Sequence, residues 1–467
     1  QDTMQPLDRD LRRKLESTSK SARDVAEAAA RAALDQLGVS AAKPPAYLDE
    51  TQRELRRRLR AHGRQLGEGG ALLAEEVAYQ HWHRMLFGRF LAENNLLMHP
   101  EHGVALSIND CRNLAEEEGR DLWEMVGSFA QGCLPQIFRQ DDPALAVKLA
   151  PEHLLDLEAL LGGLPSDVFT ADDSLGWVYQ FWQAEEKDRV NKSEVPIGAD
   201  ELPAVTQLFT EHYMVQFLLH NTLGAWHAAK VLEANPDLAK DAENEQELRD
   251  AVALPNYKWD YLRFVRDSDE GPWRPAGGTF AEWPRKARDL KTLDPCCGSG
   301  HFLVELFAIL LALREYEEGR PRLDLIREVL RHNLSGLELD PRCTQIAAFA
   351  LALAAWKAAG EVLPDLHINV ACSGISVGDD RETWLKLAGK DRAARETMDS
   401  LFDLFRQAPL LGSLIDPART TGEFFGKGFS AVRELVEKAV RTTGDDDQRE
   451  AGIAAVHVAE AVRILTD

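Results

Sequence analysis

The segment of this chain best suited to chemistry is Asp294-Pro-Cys-Cys-Gly-Ser-Gly300, a turn of small residues between a short apolar run and a strongly apolar helix. Gly298 and Gly300 let backbone approach a ligand closely there, with the N–H groups of the following helix behind them. A nicotinamide dinucleotide is disfavoured as that ligand. The third glycine of its fingerprint would fall at Leu303, and the next acidic strand end, Glu338, lies 44 positions after Asp294, against roughly 20 in that pattern. A P-loop is excluded, since no lysine follows these glycines and Gly426-Lys427 runs on into Gly428 instead of Ser or Thr. Cys296 and Cys297 read as small residues filling a tight turn, with no metal-ligand spacing. His81 and His83 flank Trp82, but positions i and i+2 of a helix face apart, so no metal site is expected there.

The elements that must position this turn follow from periodicity. Residues 1–165 read as a helical N-terminal domain, with helical spacing in Asp24 to Leu37 and Thr51 to Leu66 and a break at Pro44-Pro45. Arg53, Arg56, Arg57, Arg58, Arg60 and Arg64 form the densest basic cluster, to be read as a solvated helix face or as contacts to DNA phosphates. Residues 166–285 form a helical connector. Within it the spacing predicts a helix with apolar positions Met214, Val215, Leu218, Leu219 and Leu223, capped by Thr210 and closed by Gly224. A Thr210 cap is compatible with a ligand role, because a helix N-terminus is also an anion site.

From Leu290 the pattern becomes α/β: strand Leu290 to Leu293, helix His301 to Tyr316, helix Leu323 to His332, strand Leu334 to Leu339, helix Pro341 to Ala359 and strand Leu366 to Cys372. Alternation at this spacing implies a parallel sheet with right-handed crossovers over residues 286–380. Residues 381–467 return to charged helices, with a loop at Asp445-Asp446-Asp447.

The full string Asp294-Pro-Cys-Cys-Gly-Ser-Gly-His-Phe-Leu303 resembles motif I of the amino-methylating DNA methyltransferases. Leu208-Phe209-Thr210 resembles the motif placed upstream of it in the γ order, and Gly336-Leu-Glu-Leu-Asp340 resembles motif II. The wider frame, Leu175-Gly-Trp-Val-Tyr-Gln-Phe-Trp182 through Asn221-Thr-Leu-Gly224 to Tyr261-Leu-Arg263 and Trp283-Pro284, looks like the PglX-type adenine-specific methyltransferases of BREX and DISARM phage-defence systems. The resemblance implies a Rossmann-like class I methyltransferase core between helical segments, with S-adenosylmethionine as cofactor. It implies a cofactor site drawn from Thr210, Asp294, Pro295, Cys296, Gly298, Ser299, Gly300, Glu338, Leu339 and Ser373.

The chemistry of those residues suits the ligand. A carboxylate at a strand end, Glu338, can accept both ribose hydroxyls, and Asp294 can hold the ammonium of the methionine part. Gly298 and Gly300 leave room for its carboxylate, and Leu337 and Leu339 offer apolar contact to the adenine. His301 reads as a packing residue at the helix start instead of a base. Three departures stand out. Thr210 is followed by Glu211 where the family usually has Pro, and Ala371-Cys-Ser-Gly-Ile375 lacks an acid, leaving Ser373 as the acceptor. Most consequential, the family's catalytic Asn/Asp/Ser-Pro-Pro-Tyr/Phe tetrapeptide occurs nowhere in the 467 residues. No catalytic residue is identified, and the chain is expected to be the cofactor-binding portion of a longer enzyme.

Composition sets the outer bounds. At 467 residues, 45% hydrophobic and 28% charged, this is an ordinary globular composition with room for two or three domains. No apolar run approaches the roughly 18 residues of a membrane span. The six cysteines form no CxxC pair, which fits a reduced cytoplasm. The start at Gln1 has the look of a trimmed N-terminus. A net charge of −23 argues against non-specific coating of nucleic acid and leaves room for a local basic groove, for which Arg53, Arg56, Arg57 and Arg60 are the candidates. The expectation is a site-specific DNA adenine-N6 methyltransferase with double-stranded DNA and other phage-defence proteins as partners, its oligomeric state open. The alternative is a non-catalytic DNA- or partner-binding subunit that keeps the fold.

Overall fold

Asp8 opens the first helix by accepting the N–H groups of Asp10 and Leu11, and the helix α1 (Arg9–Gln36) then runs for 28 residues. The computed structural model describes residues 7–66, 70–134, 137–138, 142–183, 192, 210–268, 271–363, 366–374, 381–382, 385, 388, 392–407 and 411. Leu208-Phe209, Ile375, Gly426-Lys427, Asp445–Asp447 and most of the expected helical tail lie outside them. The chain divides into two compact units, one comprising 208–337 and 346–370, the other 5–207, 338–345 and 371–467.

The second of these units is built on α1, α2 (Glu50–Gln65), α3 (Gly70–Glu93), α4 (Ile108–Glu118), α5 (Leu122–Cys133), α6 (Pro143–Ala146), α7 (Pro151–Gly162), α8 (Ser166–Thr170) and α9 (Ser174–Trp182). α1 buries Leu15, Ala22, Ala26, Ala29, Ala30 and Ala33, a stripe of small residues that brings α3, α7 and α9 close. α3 is the central helix. Val77, Tyr79, Trp82, Met85, Leu86, Phe87 and Phe90 are all buried, and α1, α2, α5, α6, α7 and α8 pack around it. A helix that buries apolar residues on several faces has to be enclosed in this way.

α8 and α9 belong to this unit and not to a connector beginning at residue 166, because α9 is tied into α1. Arg23 donates to the Trp182 carbonyl at 2.7 Å, and Asp173 accepts the Leu7 N–H at 2.6 Å. The buried rings of Trp177, Tyr179 and Trp182 complete that joint.

In the other unit α10 (His212–Leu219) passes through a widened π turn, His220–Gly224, into α11 (Ala225–Ala234). Gly224 therefore does not close a helix as its sequence suggested; its φ of −63° is helical. A Cβ there would stand 2.8 Å from the Trp259 ring, so the glycine serves a close approach. The apolar set also differs from expectation: Val215, Leu219 and Leu223 are buried, whereas Met214 and Leu218 are about half exposed, beside Tyr213 and Phe217. Helices α12 (Pro236–Asp241) and α13 (Glu245–Ala251) follow, and then an antiparallel ribbon of β1 (Phe264–Val265) and β2 (Arg274–Pro275).

The α/β portion comprises β3 (Thr292–Asp294), α14 (His301–Glu318), α15 (Arg322–Glu328) with a π turn over Val329–Asn333, β4 (Leu334–Glu338), α16 (Pro341–Ala359) and β5 (Val370–Cys372). The three strands form one small sheet in the order β3-β4-β5. β3 and β4 are parallel, with Thr292, Leu293 and Asp294 in register with Leu334, Ser335 and Gly336. Asn369 replaces part of the expected strand before β5, its side-chain amide donating to the carbonyls of Leu330, Arg331 and Leu334. Charged helix α17 (Arg392–Phe405) lies beyond. Among the described residues no helix is long and apolar enough to cross a membrane.

Candidate functional site

Asp294 ends β3, and its carboxylate accepts the Cys296 N–H at 3.1 Å, so the chain turns back on its own acid. Cys297 N–H donates to the Leu337 carbonyl at 3.0 Å, and Gly300 N–H donates to the Cys297 carbonyl at 2.8 Å. These bonds seat the turn on β4 and start α14. Gly298 and Gly300 both occupy the left-handed region, at φ of 54° and 84°. Only glycine adopts that region without cost.

The two glycines differ in surroundings. A Cβ at Gly300 would come within 2.9 Å of the Ala347 backbone, while a Cβ at Gly298 would meet nothing within 4 Å. Gly300 is needed for packing of α14 against α16. Gly298 has open space where a side chain would stand.

The side chains of the turn sort accordingly. Cys297 is buried as filler, Cys296 and Pro295 are exposed, and Ser299 is half-buried. Burial raises the Asp294 carboxyl above the ordinary range, against the opposing pull of the Cys296 N–H. His301, the first residue of α14, is pushed down to about 3 by burial and by His212, so it is neutral and suited to packing. Its ring centroid lies 5.6 Å from that of His212 on α10.

Thr210 does not cap α10. The cap position is Glu211, which makes no side-chain cap bond, and Thr210 precedes it as half-buried coil. The helix starts one residue later than the Thr-x pattern indicated, at His212. What anchors α10 to α14 within this unit is Glu305, a buried acid absent from the sequence reading. It accepts Gln216 Nε2 at 3.3 Å and the Tyr257 hydroxyl, and lies 3.8 Å from His212 Nε2. Tyr257 is also bonded to His220 Nε2 at 2.9 Å.

In the other unit, Glu338, Leu339 and Ser373 stand together. Ser373 donates its N–H to the Glu338 carbonyl at 2.7 Å and its hydroxyl at 3.4 Å. Gly374 permits this approach, since a Cβ there would lie 1.8 Å from the Leu339 carbonyl. Leu339 is half-buried, but Leu337 is 3% exposed and is spent on the core, which corrects its expected contact to an adenine. Burial pushes the Cys372 thiol up to about 11, so it is an inert neighbour.

Glu338 Oε1 accepts the Asp340 N–H at 3.0 Å. Asp340 is itself buried and caps α16: its carboxylate accepts the Arg342 N–H at 2.8 Å, and its carbonyl accepts the Thr344 N–H at 3.0 Å. The other carboxylate oxygen accepts the Tyr179 hydroxyl at 2.5 Å, and Gln183 Nε2 donates to that hydroxyl at 2.6 Å. Arg342 pairs with Glu76 at 3.1 Å over the face of Tyr79. Burial alone would raise the Glu76 carboxyl, yet Arg342 and Gln80 hold it below the ordinary range. The Asp-Pro pair ahead of an apolar helix was a readable cap signal. The Asp340 partner Tyr179, 161 residues upstream, was not.

The basic cluster is spent differently from the expectation. Arg56 is buried, its Nε donating to the Gly38 carbonyl at 2.9 Å and its Nη2 to that of Ala41. That removes Arg56 from any role at DNA phosphates. Arg60 donates to the carbonyls of Val39 and Ala41 at 2.6 and 2.8 Å. Arg57 is exposed and paired with Glu50 and Glu54, and Arg53 is half-buried. Arg56 and Arg60 brace a turn. Among the described residues no group of three or more metal-ligating side chains is present.

No protein-family profile matches the chain. Curated relatives do. The adenine-specific methyltransferase BrxX of Escherichia coli (strain HS) is 26% identical over 88% of this chain and 36% of its own length. The adenine-specific methyltransferase PglX of Lacticaseibacillus casei (strain Zhang) is 25% identical over 64% of this chain and 27% of its own length. The PglX of Streptomyces coelicolor is 37% identical over 15% of this chain and 6% of its own length. The chain thus spans about a third of the length of the first relatives it matches. Over most of its length it is similar to the adenine-specific methyltransferases named BrxX and PglX, the kind its motifs resemble.

Proposed function

We propose that this chain is the S-adenosylmethionine-binding portion of a site-specific DNA adenine-N6 methyltransferase of the PglX type, built on a Rossmann-like core. The observation that carries the reading is the left-handed Gly298 turn, which follows the Asp294 carboxylate at the end of β3 and has open space where a side chain would stand. The donor set fits the cofactor. Asp294 supplies an acceptor for its ammonium, Glu338 an acceptor for its ribose hydroxyls, and Leu339 and Ser373 apolar and polar contacts to its adenine. Thr210, Pro295, Cys296, Ser299 and Gly300 are assigned to the cofactor by the motifs they resemble. Two charge-assisted bonds from Glu338 would add roughly 2–4 kcal/mol.

S-adenosylmethionine supplies the electrophilic methyl group when bound. The chain's own residues hold and orient it. Accepting the adenine amine and stacking the extruded base require a pocket. The tetrapeptide that provides it in the family is absent from these 467 residues. The whole protein then methylates double-stranded DNA alongside other phage-defence proteins, while residues 1–467 bind the cofactor without transferring methyl. Tritiated-methyl transfer to DNA tests this: incorporation is expected with a complete relative-length polypeptide and not with residues 1–467. Robust N6 methylation by residues 1–467 overturns the assignment of catalytic groups. The absent tetrapeptide also favours a second reading, a non-catalytic partner-binding subunit, which requires that the complete polypeptide transfer nothing either.

A further inference from the structure

Glu338 is a long, rotamer-rich side chain at the end of a strand, and such a carboxylate loses roughly 1.5–2 kcal/mol of entropy when one conformer is imposed. Preorganising it therefore matters for any ligand it meets. Its carboxylate is held by the Asp340 N–H, at 3.0 Å from Oε1. That N–H points where it does because Asp340 is immobilised from two sides. On one side it caps α16 through the Arg342 and Thr344 N–H groups. On the other the Tyr179 hydroxyl reaches it from α9 at 2.5 Å, with Gln183 donating to the same hydroxyl.

The α16 cap alone explains a buried aspartate. It does not explain a buried tyrosine hydroxyl brought from a helix of the N-terminal bundle to the acid two residues past Glu338. Asp340 is 6% exposed and Tyr179 1%, so the bond is shielded from water, where a hydrogen bond to a charged group counts most.

We infer that Tyr179 and Asp340 are positioning residues for Glu338, so that the helical bundle sets how well this chain recognises the ribose hydroxyls of its cofactor. The inference rests on the reading of Glu338 as the ribose-binding acid. Tyr179 touches no ligand; it acts through Asp340 on the orientation of Glu338. The consequence is selective. Loss of the Tyr179 hydroxyl weakens ligands that carry ribose hydroxyls and leaves ligands without them unaffected.

The test uses the 467-residue chain, calorimetry, and two probes: S-adenosylhomocysteine and its analogue lacking both ribose hydroxyls. Tyr179→Phe should reduce the preference for the hydroxyl-bearing probe about three- to tenfold. The ratio of the two affinities is insensitive to the fraction of folded protein, because partial unfolding lowers both alike. Glu338→Gln should abolish the preference, and adding Tyr179→Phe to it should change nothing further. An unchanged ratio in Tyr179→Phe, with the preference lost in Glu338→Gln, overturns the positioning role alone. An unchanged ratio in both variants overturns the assignment of Glu338 itself. Equal weakening of both probes by Tyr179→Phe assigns the tyrosine to stability only and also overturns the inference.

Discussion

Alanine at Gly298 and at Gly300 should have opposite consequences, although the two glycines stand in one turn with the same handedness. At Gly298, with φ of 54°, the new methyl enters open space. The cost to folding is the left-handed backbone, about 1 kcal/mol, partly offset by the lower entropy of the unfolded chain. At Gly300, with φ of 84°, the methyl adds contacts of 2.9 and 3.0 Å to Cα and Cβ of Ala347. Those atoms belong to α16 and cannot rotate away, so an overpacking cost of about 1–3 kcal/mol adds to the backbone cost. Urea denaturation should therefore place Gly300→Ala about 2–4 kcal/mol below the parent and Gly298→Ala within about 1 kcal/mol of it. Binding should rank them the other way. If the open face at Gly298 receives the cofactor, a methyl group there lowers S-adenosylmethionine affinity at least tenfold in a protein that is still folded. Parental affinity in Gly298→Ala would refute the reasoning. So would a loss of stability equal to that of Gly300→Ala.

Arg56→Ala strips the Gly38 and Ala41 carbonyls of a buried donor and should cost roughly 2–3 kcal/mol of stability, read from the urea midpoint. Arg57→Ala, at an exposed ion pair, should cost less than about 1 kcal/mol. Acid should destabilise the fold through its buried histidines: burial pushes His81 and His83 down to about 3, and His220 and His227 down to about 4. The unfolded chain binds their protons near pH 6.5, so stability is fully present above that pH and is lost as pH falls towards about 4, by up to about 1.4 kcal/mol per unit for each histidine. A urea midpoint unchanged between about pH 7 and about pH 5 would contradict this.

The parts of the site legible in sequence are those set by local chemistry. The Asp294–Gly300 turn, helix α14 and helix α16 follow from glycine handedness and apolar spacing over consecutive residues. Gly224 misled because the residue it accommodates, Trp259, is 35 positions away and nothing local distinguishes a packing glycine from a cap. Thr210 misled because a single hydroxyl residue cannot indicate which of two neighbouring positions starts a helix. The Arg56 bonds and the Tyr179–Asp340 bond were illegible for a related reason: each joins a side chain to a distant segment, and periodicity carries no such information. Charge density on α2 reads as a solvated face or a surface for phosphate, yet its central arginine closes a turn of backbone carbonyls.

The most direct measurement is calorimetric titration of this chain with S-adenosylmethionine, beside Glu338→Ala. The account predicts saturable one-to-one binding by the parent, and a loss in Glu338→Ala of roughly 2–4 kcal/mol, a factor of about thirty to a thousand in affinity. Equal affinity in the two proteins, or no binding by the parent, would contradict it.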